Sequence, residues 1–275
     1  LRLAIPRLHF AWWPSARRRR RWWRSFNRAS PLSRLLLTVT LTAALSLAVN
    51  WIYQVIRKPS ELLFPVSGTL YKTPAETWRR YAPLFREYAT NVITPDLLAA
   101  IAQVEGSGNP IVRTYWRWSW SLHPFRIYRP ASSAVGMYQM TDGTFAEARR
   151  YCIRNHAVAE DGPWNEWHSC WFNELYTRVI PAHAVELTAA DLDRSIALIL
   201  GRHHLTGVPL ERKQSLAAVI HLCGAGAGDA YARRGFRLTE GQRCGDHEVR
   251  AYLSRVKAMR LTFDRLAAGG SADQP

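Results

Sequence analysis

The longest uninterrupted apolar run lies near the start of the chain. Between Arg34 and Arg57 stand 22 residues without a charge, LLLTVTLTAALSLAVNWIYQVI. As a helix this run extends about 33 Å, close to the roughly 30 Å of bilayer hydrocarbon. Its strongly polar members, Asn50 and Gln54, fall near the C-terminal end beside Trp51 and Tyr53, where interfacial aromatics belong. The pattern predicts one transmembrane anchor over residues 35–56. The apolar core is longer than that of a signal peptide, and WIYQVIRK is a poor cleavage context, so the anchor is expected to remain uncleaved.

Beyond the anchor the polar and apolar positions alternate mostly with helical period. Residues 57–72 (RKPSELLFPVSGTLYK) show no sustained period and read as a linker. Thr73-Pro74-Ala75-Glu76 is a capping box with Pro at the first helical position, predicting a helix to about Tyr88. Thr94-Pro95-Asp96 repeats the start signal, LLAAIAQVE follows, and Gly106 stops it. Further helices are predicted at 142–154, at 166–179, from Thr188-Ala189-Ala190-Asp191 to about His204, at 213–222 and at 246–267. The helix at 213–222 is expected to end in the Gly-rich run 224–228. Strand-like alternation is scarce, so the fold reads as mainly α. The tail from 267 to 275 reads as disordered.

Charge changes this picture at one end only. The formal net charge is +16, but residues 1–34 hold ten of the 37 basic residues and no carboxylate. A uniformly basic nucleic-acid-binding domain is excluded as the simple reading. An Arg-rich flank beside an apolar span sets topology and meets anionic headgroups, which keeps residues 1–34 in the cytoplasm and sends the rest across the membrane. The run WWPSARRRRRWWR also fits a nucleic-acid patch, but the neighbouring span explains it more directly, and no nucleic-acid partner is expected. The four cysteines, Cys152, Cys170, Cys223 and Cys244, all fall beyond the anchor, as disulfides of an oxidising compartment would. Three connectivities are open, and the two local pairs 152–170 and 223–244 are favoured.

Candidate chemistry starts at Glu105, at the end of the apolar helix and directly before Gly106-Ser107-Gly108-Asn109-Pro110. A carboxyl among apolar neighbours is favoured in its protonated form and is suited to general-acid work. Such a residue is far more often an inert, solvated helix end. A second segment, SSAVGMYQMTDGTF at 132–145, sets Gln139 between apolar neighbours, where an amide that donates and accepts suits an acetamido group. A buried, satisfied Gln is the plainer alternative. Asp142 reads as a helix cap or as a partner for a water. The aromatic and basic stretch 111–131 reads either as a lid that stacks on sugar rings, its arginines pairing with peptide carboxylates, or as a satellite core or membrane-proximal surface. His203 and His204 adjoin on a helix and point to different faces, so no metal site is expected, and no cofactor.

In these segments the sequence resembles the lytic transglycosylase family, the SLT-type domain with a lysozyme-like fold. The family's first motif, E-S-x-x-N-P, stands as Glu105-Gly106-Ser107-Gly108-Asn109-Pro110, with Gly for Ser. The second, G-L-M-Q-I-x-P-x-T, stands as Gly136-Met137-Tyr138-Gln139-Met140-Thr141-Asp142-Gly143-Thr144, with Asp for Pro. The third, A-A-Y-N-A-G, is degraded to Ala218-Val219-Ile220-His221-Leu222-Cys223-Gly224. The fourth, E-T-R-x-Y-V-x-x-V, is Glu248-Val249-Arg250-Ala251-Tyr252-Leu253-Ser254-Arg255-Val256.

The resemblance implies a catalytic domain over about residues 88–266, with 57–87 holding the linker and first helix. It implies that Glu105 acts twice. The residue first protonates the glycosidic oxygen between N-acetylmuramic acid and N-acetylglucosamine. It then takes the proton of the muramic C6 hydroxyl as that oxygen closes a 1,6-anhydro ring. Tyr252 would orient Glu105. Gln139, the backbone near Met137 and Tyr138, Ser107 and His221 would line the substrate groove. The partners implied are peptidoglycan glycan strands, the inner membrane and, at family level, a conjugation or secretion apparatus needing local wall opening. Two rivals share the scaffold: a goose-type-lysozyme-like hydrolase, and a non-catalytic peptidoglycan-binding scaffold protein.

Overall fold

The computed structural model describes residues 16–121, 123–160, 162–163, 165–166 and 169–270. The chain forms two units, Leu1–Ile56 and Arg57–Pro275. Part of the Arg/Trp-rich segment (1–15) and of the expected disordered tail (271–275) lies outside the described residues.

In the first unit, α1 (Ala16–Arg28) carries the arginine run, and α2 (Pro31–Arg57) carries the apolar run. Ser30 Oγ accepts from the Ser33 N–H at 3.3 Å, and Pro31 opens α2. Its apolar side chains are largely exposed along the helix. The helix is long and apolar enough to cross a membrane, with a mean hydropathy of 1.9 over its best window.

The second unit is built around α5 (Pro95–Gly106). Leu97 to Ala102 are buried in succession, the mark of a helix enclosed on all sides. Packed against it are α4 (Pro74–Glu87), α7 (Pro181–Arg202) and α10 (Val249–Gly270), with α8 (Leu210–Cys223) packed on α7 and α10. Phe85, Leu97, Leu98, Ile101, Leu192, Ile196 and Phe263 belong to one continuous core. Each such side chain contributes on the order of 1.5–3 kcal/mol by leaving water. The Thr73–Glu76 capping box forms as the sequence indicates, with the Glu76 carboxylate on the Thr73 N–H at 2.8 Å.

Several expectations need correction. Residues 57–72 are not a free linker. They form a 3-10 turn at Pro59–Leu63 and a short helix α3 (Phe64–Ser67), held by buried Lys58 and Glu61. The expected helix at 142–154 is α6 (Asp142–Ala148) followed by a hairpin, β3 (Tyr151–Arg154) with β4 (Ala157–Glu160). Asn155 and His156, both at positive φ, make the two-residue turn, and the Ile153 N–H bonds Glu186 Oε1 at 3.0 Å. The helix expected at 166–179 is only a 3-10 turn at Trp171–Leu175; residues 167–168 of that range are outside the described ones.

The start read at Thr188 lies inside α7, because Thr188 Oγ1 donates back to the Ala184 carbonyl at 2.7 Å instead of capping. The Gly-rich run opens α9 (Ala225–Arg233). The stretch 111–131 contains a hairpin, β1 (Trp116–Trp118) with β2 (Tyr128–Pro130), and β5 (Arg243–Cys244) pairs with β6 (His247–Glu248) before α10. The last helix runs to Gly270, past the expected end of order. Both local disulfides form, Cys152–Cys170 and Cys223–Cys244.

Candidate active site

Three distant segments converge on Glu105. The residue stands in the last turn of α5, and Ser107 closes the helix in the left-handed conformation at φ 47°. Tyr252, in the first turn of α10, donates its hydroxyl to Glu105 Oε1 at 2.6 Å. His221, near the end of α8, places Nε2 3.7 Å from the same oxygen. Glu105 keeps 17 % of its side chain exposed and His221 12 %. One carboxylate oxygen, Oε1, is thus held by Tyr252 and faced by His221.

Burial, and then the Glu105 carboxylate, push the Tyr252 hydroxyl well above the ordinary tyrosine range. Tyr252 is therefore a dependable donor. Burial lowers the His221 imidazole, against the opposing effects of Glu105 and of a hydrogen bond to the Tyr138 backbone. Burial thus favours the neutral form of the His221 imidazole.

The second motif forms a tight loop beside this group. Val135 and Met140 exchange backbone hydrogen bonds at 3.2 Å, and Gly136, at φ 82°, bonds the Val112 carbonyl. Met137 and Tyr138 are fully buried at the loop's tip, where the Tyr138 hydroxyl donates to the Leu98 carbonyl at 3.2 Å and its ring meets His221 edge-on. Gln139 Nε2 donates to the Val112 and Gly136 carbonyls at 3.1 and 2.9 Å. The Gln139 amide nitrogen thus donates to one carbonyl within its own loop, Gly136, and to one outside it, Val112.

Gly106 explains the departure from the first motif. A Cβ there would lie 2.9 Å from Met137 Cα and from its carbonyl oxygen. The two motifs touch backbone to helix, and only glycine fits. Asn109 is fully buried and structural, donating to the Ser67 carbonyl at 2.6 Å and accepting from the Ile111 N–H. Ser107 accepts from the Lys72 N–H through its carbonyl. Leu222 packs against the main core instead of standing in for a motif amide. Asp142 is the first residue of α6, with Thr141 as its cap, and pairs with Arg178 at 2.7 Å.

Sequence reasoning missed Arg178, which braces the second-motif loop through the Ser133 and Met140 carbonyls as well as Asp142. It also missed Lys58 and Glu61. Besides their own ion pair at 3.3 Å, their partners lie 52 or more residues away, so no local pattern announces them. A separate cleft of about 470 Å³, lined by Tyr88, Arg154, His156, Tyr176 and Glu186 among others, contains none of the groups around Glu105. Its Glu186 carboxylate is already satisfied by the Ile153 N–H and the Tyr176 hydroxyl.

Among the described residues no cluster of His, Cys, Asp or Glu is placed to hold a metal, and His203 instead bonds Asp229. No protein-family model, curated protein or solved structure matches the chain.

Proposed function

We propose that this chain is a membrane-anchored lytic transglycosylase that cuts the bond between N-acetylmuramic acid and N-acetylglucosamine in peptidoglycan. The observation that carries the reading is the 2.6 Å bond from Tyr252 to Glu105 Oε1, with His221 facing the same oxygen. Among the described residues, a phenol bonds Glu105 Oε1 and an imidazole faces it. A single carboxyl acting twice needs only its own orientation fixed, and Tyr252 supplies that.

In this reading Glu105 gives its carboxyl proton to the glycosidic oxygen, and the bond to C1 breaks. The muramic acetamido group stabilises the cationic centre. The same carboxylate then takes the C6 hydroxyl proton as that oxygen bonds C1. The departing sugar keeps the first proton and the electron pair of the broken bond on its freed hydroxyl. The C6 oxygen supplies the pair for the new bond, its proton restores the Glu105 acid, and no water is consumed.

The localisation belongs to the same proposal. The arginine flank stays in the cytoplasm, α2 crosses the inner membrane, and Arg57–Pro275 works in the periplasm, where two disulfides persist. Local wall opening for a conjugation or secretion apparatus is the role that suits a tethered enzyme of this kind. Clearing of purified sacculi by the full chain tests the cleavage. Glu105→Gln should abolish it, and clearing retained in that variant would sink the reading.

A further inference from the structure

Among the described residues of the second unit, the hairpin β1–β2 and its loop carry the most exposed aromatic side chains, Tyr115, Trp118 and Trp120. On one face Tyr128 lies between Trp116 and Trp118, with ring centroids 5.1 and 4.5 Å away. Trp118 nevertheless remains 67 % exposed, and Trp120 beyond it is fully exposed. By strand alternation the opposite face carries Tyr115, Arg117 and Ile127, all exposed. Residues 115–130 contain Arg117, Arg126 and Arg129 and no carboxylate.

The root of the hairpin is fixed to the residue that follows α2. Lys58 Nζ donates to the Ser132 and Ala134 carbonyls at 3.3 and 3.0 Å, and to Thr114 Oγ1 at 3.4 Å. Glu61, itself buried, accepts from Arg113 at 2.8 Å and from Trp116 Nε1 at 2.9 Å. The hairpin base is therefore held by Lys58, the residue that directly follows the 27-residue apolar helix in the chain.

We propose that this hairpin is a second membrane contact, seating Trp118 and Trp120 among the headgroups of an anionic lipid leaflet. The proposal rests on α2 spanning the membrane, because Lys58, which holds the hairpin root, follows α2 directly in the chain. Tryptophan and arginine together match the interface, where an amphipathic ring and an anionic headgroup meet. Exposure on both faces favours lipid over a glycan strand. A strand stacks on one ledge, whereas headgroups surround an inserted tip. Such a contact would hold the unit against the leaflet through a rigid ion-paired root.

The test uses the full chain in phosphatidylcholine–phosphatidylglycerol vesicles. All four native cysteines are paired, so Trp120→Cys offers a single thiol for an environment-sensitive fluorophore. Leu41→Cys in the apolar helix and Glu240→Cys on an exposed loop serve as references. The expected result is a blue shift at 120 and loss of most emission to brominated lipid, as at 41, with 240 unaffected. Adding Arg117→Glu and Arg126→Glu should return the label at 120 to water.

A water-like label at 120 beside a quenched label at 41 overturns the hairpin contact and leaves the span standing. An unquenched label at 41 removes the span, and the contact with it. Shielding at 120 only on addition of isolated glycan strands makes the hairpin a sugar lid and overturns the proposal. Unchanged quenching in the double-glutamate variant removes anionic headgroups as the partner.

Discussion

Tyr252 donates its hydroxyl to Glu105 Oε1 at 2.6 Å across 147 residues of chain. The bond joins the end of the central helix to the start of the last one, and it orients the carboxyl on which the proposed chemistry depends. Tyr252→Phe keeps the buried ring and removes only this bond. A hydrogen bond to a charged group is worth about 1.5–3 kcal/mol, so turnover of sacculi should fall about tenfold to a hundredfold. Thermal melting should show a fold still intact. Unchanged turnover would mean that Glu105 does not need this bond.

Gly106 predicts the opposite of what the motif resemblance alone would. Gly106→Ser restores the family's serine but drives a Cβ against the Met137 backbone at 2.9 Å. The variant should lose about 1–3 kcal/mol of stability and gain no activity. Denaturant unfolding and sacculus clearing measured on the same sample check both halves.

The two disulfides should differ in what they support. Each closes a loop of about twenty residues and stabilises by on the order of 3 kcal/mol. Cys223 lies two residues after His221, and Cys244 lies shortly before the helix that carries Tyr252. Cys223→Ala with Cys244→Ala should therefore lower activity well beyond its effect on melting. Cys152→Ala with Cys170→Ala should lower the melting temperature alone. Equal activity losses in the two pairs would contradict this.

Asp191 gives a pH dependence of known sign. Burial, and then the Glu147 carboxylate, raise its carboxyl to about 7. The folded chain keeps a proton there that the unfolded chain, with an ordinary value near ~3.9, has released. Stability is fully present below about pH 4 and falls as pH rises towards 7, by on the order of a few kcal/mol. Asp191→Asn should flatten this slope and melt higher than the parent at about pH 8. Parallel melting curves for parent and variant across that range would refute the assignment.

What the sequence made legible was local or motif-borne. The Thr73–Glu76 box and the helix ended by Gly106 follow from local spacing, while for the cysteines spacing left three connectivities open and only favoured the two local pairs that form. The approach of Tyr252 to Glu105 was legible only through motif resemblance, because nothing local links them. Distant partners erased the rest. Lys58 and Glu61 look like linker residues until Ser132, Ala134, Arg113 and Trp116 arrive. Thr188 looks like a cap until Ala184 takes its hydroxyl. Gln139 looks free until the Val112 carbonyl claims its amide. Short apolar strands such as Tyr151–Arg154 carry too little period to be told from a helix end.

The central claim is that Glu105 alone drives non-hydrolytic cleavage. Mass spectrometry of the fragments released from sacculi by the full chain tests it most directly. The account predicts 1,6-anhydro-muramic ends from the parent and no fragments from Glu105→Gln. Reducing muramic ends would point to hydrolysis instead, and fragments from Glu105→Gln would remove Glu105 from the chemistry altogether.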